Sequence, residues 1–205
     1  MTQAIPIFET ERLFLAPPRL EDAEAYTRHF VDWEVIAPLS AVVPWPYPEG
    51  GVELHLRTQI LPHLGQNRWA WGLFLKQTLA SPLDPRRELI GAVELFRGER
   101  PDNRGFWLGR RFWGQGLMTE ALLPITDFAF ESLGFERLVV NNAVGNLRSR
   151  RLKEKAGAKL IAVEAERFVD PRYTEKEVWS LERADWLAHR PEQVSLPQTP
   201  PLKLS

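Results

Sequence analysis

The sequence predicts an α+β (mixed α/β) fold, with a central, mostly antiparallel twisted sheet of about seven strands flanked by about four helices. Alternating apolar and polar residues predict the strands, and apolar residues at helical spacing predict the helices. The order β-α-α-β-β-β-α-β-α-β-β puts hairpins first, an antiparallel end last and one helix between the fourth and fifth strands. That helix indicates a single parallel β-α-β crossover.

The first half of the chain is predicted to contain four strands and two helices. Acidic residues in the first turn support the first helix, and the second is broken near Pro62, which has no amide hydrogen. A stretch rich in proline and aromatic residues between the helices predicts a structured loop. The strands are residues 11–17, 69–76, 88–96 and 104–109, the helices 19–33 and 52–64, and the loop 36–51.

The second half alternates strands with helices and then ends in strands. Apolar residues at positions 117, 121, 122, 125, 128, 129 and 133 predict an amphipathic helix, which Pro124 should kink and Gly134 should end. Asn146 is a typical N-cap for the next helix. The helices are residues 117–133 and 146–157, and the strands are 136–144, 158–169 and 176–186, the last turning into a short helix.

Composition narrows the class of protein. The formal net charge is −1, so no strong field indicates a nucleic acid or an anionic membrane as partner. There is no cysteine, and the four histidines lack metal-ligand spacing, so neither disulfides nor a metal is expected. The first residues do not resemble a signal peptide and no 18-residue apolar run occurs, so a cytoplasmic protein is expected. Residues 1–188 are predicted to form one domain, and residues 189–205 a proline-rich tail.

Two glycines one residue apart, Gly114 and Gly116, precede the amphipathic helix. Glycines allow a tight turn, and the amides at a helix N-terminus attract phosphate. The stretch lacks the GxxxxGK[ST] of a P-loop, and Thr119 replaces the third glycine of a dinucleotide fingerprint. On these residues alone, a phosphate-binding loop and a simple strand-to-helix turn remain equally open.

The wider pattern resembles the GNAT superfamily of acyl-coenzyme A N-acyltransferases, and within it the branch of ribosomal-protein N-terminal acetyltransferases. The stretches RGFWLGRRFWGQGLMTEAL and FAFESLGFERLVVNNAVGNLRSRRLKEKAGA carry the resemblance, which extends over roughly residues 9–187. The matching positions are Arg111, Gly114 and Gly116 for [QR]-x-x-G-x-[GA], Gly105, Phe106, Trp107 and Leu108 for G-[FY]-W-L, and Asn146, Ser149, Glu154, Lys155 and Gly157 for N-x-x-S with E-K-x-G.

The resemblance implies acetyl-coenzyme A as the cosubstrate, bound in a splay between the fourth and fifth strands. The pyrophosphate would lie over the amides of residues 112–119, and the pantetheine arm would follow the fourth strand. Arg111, Arg150 and Lys153 would meet phosphates, whereas Asn146 and Ser149 would reach the sulfur end. The expected cofactor-binding residues are Trp107, Leu108, Gly109, Arg111, Phe112, Trp113, Gly114, Gln115, Gly116, Leu117, Met118, Thr119, Asn141, Asn146, Ser149 and Lys153.

Three residues are expected at the chemical step. Ser149, by family analogy, would be the general acid that protonates the leaving thiolate, and an amide near Trp107 would stabilise the oxyanion. Branch members often carry a glutamate base where this chain has Asn103, which cannot take a proton at neutral pH. Glu94 on the adjoining strand is the substitute base that the sequence offers, although its pattern favours an ordinary exposed strand glutamate.

The acceptor is expected to be an amine, in a protein N-terminus or a small molecule. An α-amine (pKa ~7.7–8.0) is partly neutral at pH 7, whereas a lysine amine (pKa ~10.4) is not, so a weak base favours an α-amine. Exposed strand edges near the C-terminus leave a homodimer possible. Two alternatives remain: a catalytically weak coenzyme A-binding regulatory module and an unrelated nucleotide-binding enzyme. The expected walls of the acceptor pocket are Trp33, Trp45, Tyr47, Phe168 and Tyr173.

Overall fold

A computed structural model describes residues 4–98 and 101–190 of the chain. Within them lie eight strands and six α-helices. The strands are β1 (Phe8–Glu9), β2 (Leu13–Ala16), β3 (Arg68–Leu75), β4 (Gly91–Phe96), β5 (Arg104–Leu108), β6 (Arg137–Ala143), β7 (Lys159–Ala165) and β8 (Glu175–Glu182). The helices are α1 (Ala23–Phe30), α2 (Trp33–Ile36), α3 (Gly51–His55), α4 (Leu117–Glu131), α5 (Leu147–Lys155) and α6 (Arg183–His189).

The predicted mixed α/β class is confirmed, but the strands form two sheets rather than one. One is a five-stranded antiparallel sheet in the order β1-β2-β3-β4-β5, and the other is a three-stranded antiparallel sheet in the order β6-β8-β7. The strands β5 and β6, on either side of α4, form no hydrogen-bonded ladder. The predicted splay between these two strands therefore extends along nearly their whole length.

The N-terminal third departs most from the prediction. The two-residue strand β1 was missed because it is too short for alternation to be visible. The predicted helix 19–33 divides: Leu20–Asp22 is a 3₁₀ turn, α1 ends at Phe30, and α2 begins after Asp32. The side chain of Asp32 accepts a hydrogen bond from the amide of Glu34 (2.8 Å), which starts a new helix instead of continuing the old one.

The second predicted helix also changes character along its length. The α-helical turn of α3 is followed by a π-helical stretch, Leu56–Ile60, and a 3₁₀ turn, Leu61–His63. Pro62 lies in that last turn and cannot donate to a carbonyl four residues earlier, so the regular helix cannot extend through it. The break near Pro62 was predicted, and the π-helical stretch was not.

The helix α4 is the central packing element. All seven apolar positions that predicted its amphipathic face are buried, and the helix continues through Pro124 to Glu131 as one element. It packs against β2 and β4 in the larger of the two apolar clusters. The second cluster lies under α1, α2 and α3 on the other face of the five-stranded sheet. Helices therefore cover both faces of that sheet.

The two sheets are joined at Asn103, the residue before β5. Its amide donates to the carbonyl of Val139 (3.0 Å), and its side-chain oxygen accepts from the amide of Val139 (2.9 Å). Its side-chain nitrogen donates to the carbonyl of Arg137 (3.3 Å), and its own carbonyl accepts from Phe96 (3.0 Å). The side-chain amide thus stands in for a peptide unit, and it pairs the sheets at the point where their strands begin to separate.

The other edge of the three-stranded sheet is β7. It exposes three large apolar side chains, those of Leu160, Ile161 and Val163. Pairing between two copies at this edge remains a prediction. The predicted domain end at residue 188 falls inside α6, and residues 191–205 of the predicted tail lie outside the described residues. Among residues 4–98 and 101–190, no helix has both the length and the apolar character needed to cross a bilayer.

We expect Asn103→Ala to lower the free energy of unfolding by about 1–3 kcal/mol, because the half-buried amide of Val139 loses its acceptor. The corresponding melting temperature falls by roughly 2–4 °C per kcal/mol. Thermal and urea unfolding measure the change. Asn103→Asp is the matched control, because it keeps an acceptor for Val139 and loses only the donor to Arg137. Equal losses in both variants would contradict the assignment of the acceptor bond.

Candidate active site

A cleft of about 840 Å³ occupies the space where β5 and β6 separate. Its floor is the β5 segment from Arg104 to Leu108, and one side is formed by the end of β6 and the start of α5. The loop before α4 closes one end of the cleft. The other end is formed by residues 34–42 and by Glu166 and Phe168. One continuous space therefore joins the glycine loop to a distant, mixed polar and apolar rim.

The glycine loop presents an uninterrupted run of amides without backbone acceptors. The amide of Trp113 donates to Arg110, and the next backbone bond in the chain is from Glu120 to Gly116 (3.0 Å). Within the described residues, the six amides of residues 114–119 donate to no acceptor. The last three of them belong to the first turn of α4, where the helix dipole adds positive charge. Six free amides at the N-terminus of a long helix match a pyrophosphate.

Both glycines adopt backbone angles that disfavour other residues. Gly114 has φ +75° and Gly116 has φ +78°, in the left-handed region. A Cβ atom at residue 114 would meet nothing within 4 Å, so the backbone conformation and not a lack of space requires glycine there. This favours the phosphate-binding alternative over a plain turn, because the left-handed residues are what expose consecutive amides.

The loop is held from behind by Arg12, the arginine of the ETERLFL stretch. Its Nη1 donates to the carbonyl of Gln115 (2.8 Å), and its Nε donates to Glu120 (2.7 Å). Glu120 also accepts from the hydroxyl of Thr10 (2.5 Å) and the amide of Arg12 (2.8 Å). These bonds lower the pKa of Glu120 against the effect of burial, which raises it. The N-terminal strands thereby fix the shape of a loop about 100 residues away in sequence.

The loop side chains divide between the core and the surface. Phe112 is buried against His29, with ring centroids 5.4 Å apart. Trp113 donates from Nε1 to the carbonyl of Leu108 (2.7 Å), and the guanidinium of Arg148 lies 3.9 Å from its ring centroid. Arg111 is exposed and bonded to Glu88 (2.8 Å), so a phosphate would have to compete with that carboxylate.

The β5 floor is packed on helix α1 through the side chain of Trp107. The ring of Trp107 lies 4.6 Å from that of Tyr26 and 5.1 Å from that of Phe30, between centroids. The amide of Gly109 donates to Ile90 (2.8 Å), which removes it from the candidates for an oxyanion donor. Trp107 and Leu108 line the cleft as predicted, and Gly109 does not.

The wall opposite contains a buried polar atom that lacks a partner. Asn141 lines the cleft, and within the described residues its side-chain oxygen is buried and accepts no hydrogen bond. An amide-bearing arm such as pantetheine could supply the missing donor. Asn146 also lines the cleft, but its side-chain oxygen caps α5 by accepting from the amide of Ser149 (3.2 Å). The cosubstrate and the residues present therefore fit each other.

Ser149 lines the cleft on the first turn of α5, as the general-acid prediction requires. Its hydroxyl oxygen lies 2.7 Å from Nζ of Lys153, one helical turn later. Lys153 has no exposed surface, so the expectation that it meets a phosphate is wrong. Burial, reinforced by the charge of Arg104, lowers the pKa of Lys153 to about 7. The contact between Ser149 and Lys153 was not predicted from the sequence, because a lysine on a polar helix face usually reaches solvent.

Asn103 has no catalytic geometry. Its amide and its side chain are bonded to β6, its carbonyl is bonded to Phe96 of β4, and the residue does not line the cleft. The catalytic assignment of Asn103 is therefore corrected to a structural one.

Glu94 lies on the face of the five-stranded sheet that carries α1. Its carboxylate binds Arg68 (2.6 Å), and burial raises its pKa although Arg68 opposes this. In the ladder it stands opposite Gly105, which lines the cleft and has no side chain to cover it. The pKa of Tyr26 is also raised, mainly by burial and then by the charge of Glu94. Glu94 itself is next to the cleft and not in its wall.

The far rim differs from the predicted acceptor pocket. Of the five aromatic residues expected there, Phe168 lines the cleft and the other four do not. Trp33 packs on Trp45, Tyr47 on Phe30, and Tyr173 on Phe168. The rim instead uses smaller side chains of the proline-rich stretch and three carboxylates. These residues are Val35, Pro38, Leu39, Val42, Glu34, Asp102 and Glu166.

Backbone bonds tie this rim together. Ser40 forms an antiparallel bridge with Phe168, the amide of Ala41 donates to Arg167 (2.8 Å), and that of Val169 donates to Leu39 (2.9 Å). The loop after α2 and the loop between β7 and β8 thus form one wall. Sequence reasoning missed the pairing: it assigned residues 167–169 to the end of the strand 158–169, which the structure ends at Ala165, and it assigned residues 36–51 to a loop without a strand partner. Within the described residues, no group of three or more His, Asp or Glu side chains could hold a metal ion.

Comparison with known proteins identifies a family. Residues 12–159 match the model of the acetyltransferase (GNAT) domain. A probable N-acetyltransferase of Bacillus subtilis (strain 168) is 38% identical to this chain over 73 residues. The chain covers about two fifths of that relative (40%) and of a putative ribosomal N-acetyltransferase from the same organism (39%). The FsC-acetyl coenzyme A-N(2)-transacetylase of Aspergillus fumigatus is 26% identical over 193 residues, which are 90% of this chain and 80% of that protein.

Two solved structures share the fold. A ribosomal L7/L12 α-N-protein acetyltransferase in complex with coenzyme A has a TM-score of 0.67 at 19% identity, covering 86% of this chain and 97% of that one. A spermidine N-acetyltransferase from Vibrio cholerae, in complex with coenzyme A and spermine, has a TM-score of 0.68 at 17% identity, covering 85% and 98%. At these identities the similarity shows a shared fold only. Both of these structures contain bound coenzyme A.

We expect Gly114→Ala to weaken the binding of coenzyme A about 5- to 30-fold, because an L-residue pays about 1–2 kcal/mol in the left-handed region. Isothermal titration calorimetry measures the dissociation constant. Gly98→Ala is the matched control, since a Cβ at residue 98 also meets nothing within 4 Å and its φ is not positive. Equal affinities in the two variants would mean that the loop conformation does not matter for binding.

Proposed function

We propose that this chain, a member of the GNAT acetyltransferase family, is an acetyl-coenzyme A-dependent acyltransferase that acetylates an α-amine. The acceptor amine, on a protein, peptide or small molecule, attacks the thioester directly while both substrates are bound. One observation carries this proposal: a single cleft runs from the six free amides, past Ser149, to an acidic rim. Donor and acceptor can enter such a cleft from opposite ends.

The donor end is suited to the pyrophosphate and to the arm of the cosubstrate. The free amides of residues 114–119 bind phosphate oxygens, and Asn141 accepts a hydrogen bond from the arm. Because α5 presents Ser149 one turn beyond the cap, the hydroxyl lies in the same cleft as the glycine loop. In this arrangement the thioester sulfur lies beside Ser149.

The acceptor end carries the carboxylates of Glu34, Asp102 and Glu166, with Lys176 bonded to Glu166 (3.4 Å). An acidic rim attracts an amine that arrives protonated. The amine must then lose that proton before it can attack. Glu94 is the base we propose, acting through water, because a buried carboxylate with a raised pKa holds a proton better than an exposed one.

A carboxylate base favours an α-amine as the acceptor. The pKa of an α-amine, ~7.7–8.0, leaves about a tenth of it neutral at pH 7, whereas a lysine side chain is well below ~0.1% neutral. A carboxylate base that must act through water contributes little to removing a proton from lysine. The cytoplasmic location, the absence of nucleic-acid or membrane partners, and the possible homodimer remain predictions from composition and strand edges.

The first test is a thermal-shift titration with acetyl-coenzyme A beside NADH and ATP. A ligand at 100-fold its dissociation constant adds ~2.7 kcal/mol, which raises the melting temperature by roughly 5–10 °C in a chain of this size. We expect this rise with acetyl-coenzyme A and not with the other two. A rise with NADH or ATP alone would contradict acetyl-coenzyme A as the cosubstrate.

The second test measures turnover with peptides that offer either a free N-terminus or only a lysine side chain. We expect the free N-terminus to be preferred by at least tenfold in kcat/KM. A clear preference for lysine contradicts the α-amine proposal, and binding without turnover of any amine supports a coenzyme A-binding regulatory module.

Glu94→Gln tests the proposed base. It should lower kcat by about 10²–10⁴-fold, the usual contribution of general acid–base catalysis. The wild-type rate should rise with pH through a raised carboxylate pKa, and this limb should disappear in the variant, because a side-chain amide does not titrate in this range. Glu131→Gln, an exposed glutamate bonded to Arg190, is the matched control. An unchanged pH profile in Glu94→Gln would exclude Glu94 as the base.

A further inference from the structure

Lys153 is a buried amine that makes no hydrogen bond to any carboxylate of the described residues. Its Nζ donates to the hydroxyl of Ser149 (2.7 Å) and lies 3.4 Å from the carbonyl of the same residue. The side chain has no solvent exposure at all. A buried ammonium without a bonded carboxylate lowers the free energy of unfolding. The position of this amine next to Ser149 therefore suggests a role in the chemistry of the site.

The groups around Lys153 come from three strands, α4 and α5. From β5, Arg104 contributes a second buried cation that bonds to Thr126 of α4 (3.4 Å), and Phe106 lies 5.6 Å from Nζ. From β8, Glu177 contributes the nearest negative charge. That carboxylate is already bonded to Asn142 of β6 (2.9 Å), Trp179 of β8 (3.2 Å) and Arg150 of α5 (3.0 Å).

These neighbours, together with burial, explain why the pKa of Lys153 is lowered. Desolvation is the largest cause of its lowered pKa, Arg104 lowers the pKa further, and Glu177 raises it, so that the result is about 7. A thiol of ordinary pKa ~8.5 binds a proton more tightly than that. Transfer of a proton from this ammonium to a thiolate is therefore downhill.

We propose that Lys153 is a positioning residue that supplies, through the hydroxyl of Ser149, the proton taken up by the leaving thiolate of coenzyme A. This inference rests on the proposed acetyl transfer. Lys153 touches neither substrate. It orients the serine hydroxyl, whose hydrogen must be turned toward the sulfur because its oxygen accepts from Nζ, and it replaces the proton that the serine gives up.

The step is balanced in atoms and charge. The neutral amine nitrogen forms a bond to the carbonyl carbon, the carbon–sulfur bond breaks, and the sulfur keeps the electron pair. The hydroxyl proton of Ser149 moves to sulfur as a proton of the Lys153 ammonium moves to the serine oxygen. Lys153 is left neutral and regains its proton from water. The proton that the attacking nitrogen loses goes to the base or to water.

The central experiment compares Lys153→Met with Ser149→Ala and the double variant. Methionine has similar length and no charge, so the fold should be retained and the melting temperature should stay equal or rise. We expect kcat to fall about 10- to 100-fold, with the KM for acetyl-coenzyme A within about twofold of wild type. Because Lys153 acts through Ser149, the double variant should be no slower than Ser149→Ala. Lys159→Met, an exposed lysine on β7, is the matched control.

The pH dependence separates this role from a packing role. In wild type, kcat with a low-pKa amine should fall as pH rises above about 7, since the proton donor is lost, and Lys153→Met should lack this descending limb. The lowered pKa has its own signature in stability. Between pH 7 and about 10 the unfolded chain holds more protons than the folded one, so wild-type stability should rise with pH relative to Lys153→Met.

Several results would overturn the proposal. They are an unchanged kcat in Lys153→Met, losses that add in the double variant, or a loss of activity that only follows a lower melting temperature. One measurement does not require an acceptor: the difference in free energy of unfolding between wild type and Lys153→Met, followed with pH. A difference that stays constant between pH 7 and about 10 would refute the role of Lys153 as the proton source, because the folded protein would then hold that proton as tightly as the unfolded chain does. A difference that grows with pH, together with absent turnover of every amine by wild type, would refute only the proposed acetyl transfer.

Discussion

The joint between the two sheets at Asn103 determines the shape of the site. A backbone ladder would have drawn β5 and β6 together along their whole length, and no cleft would remain. A side-chain amide pairs with Val139 and Arg137 at one point only, so the strands start in contact and then diverge. The wedge they leave opens toward the N-termini of α4 and α5. The loop amides and Ser149 therefore face the same space, although about 30 residues separate them in the chain.

The interior beneath the cleft contains several buried charged side chains. Arg104, Lys153 and Glu177 are all buried within the same region, and they are joined by hydrogen bonds to Thr126, Ser149 and Asn142. Buried charges are seldom the most stable solution for a core. Here they surround the proposed position of the thioester, where charge develops as the carbon–sulfur bond breaks. The same buried charges that lower stability therefore provide a preorganised electrostatic environment for the reaction.

The sequence predicted correctly those features that depend on residues close together in the chain. The buried face of α4 follows from apolar spacing, and the exposed amides of the loop follow from Gly114 and Gly116, since their left-handed conformations require glycine. The features that escaped prediction depend on contacts between distant segments. Asn103 looked like a missing base until its bonds to β6 were visible, and Lys153 looked like a surface cation until its burial was. The bonds of Arg12 to the glycine loop could not be predicted from spacing either, because Arg12 and the carbonyl of Gln115 that it binds are 103 positions apart in the chain.

The rim at the acceptor end has a different origin from the rest of the cleft. Apart from Glu34 and Val35 of α2 and Asp102 before β5, it consists of the loop after α2 and the loop between β7 and β8, which are bonded to each other through Ser40 and Phe168. Neither loop supplies the amides, Ser149 or Lys153. Mutations accumulating in this pair of loops could therefore alter which amine is accepted while the acyl donor and its chemistry stay the same. A scaffold divided in this way can diversify by gene duplication, with each copy exploring a new acceptor at little risk to the shared half-reaction.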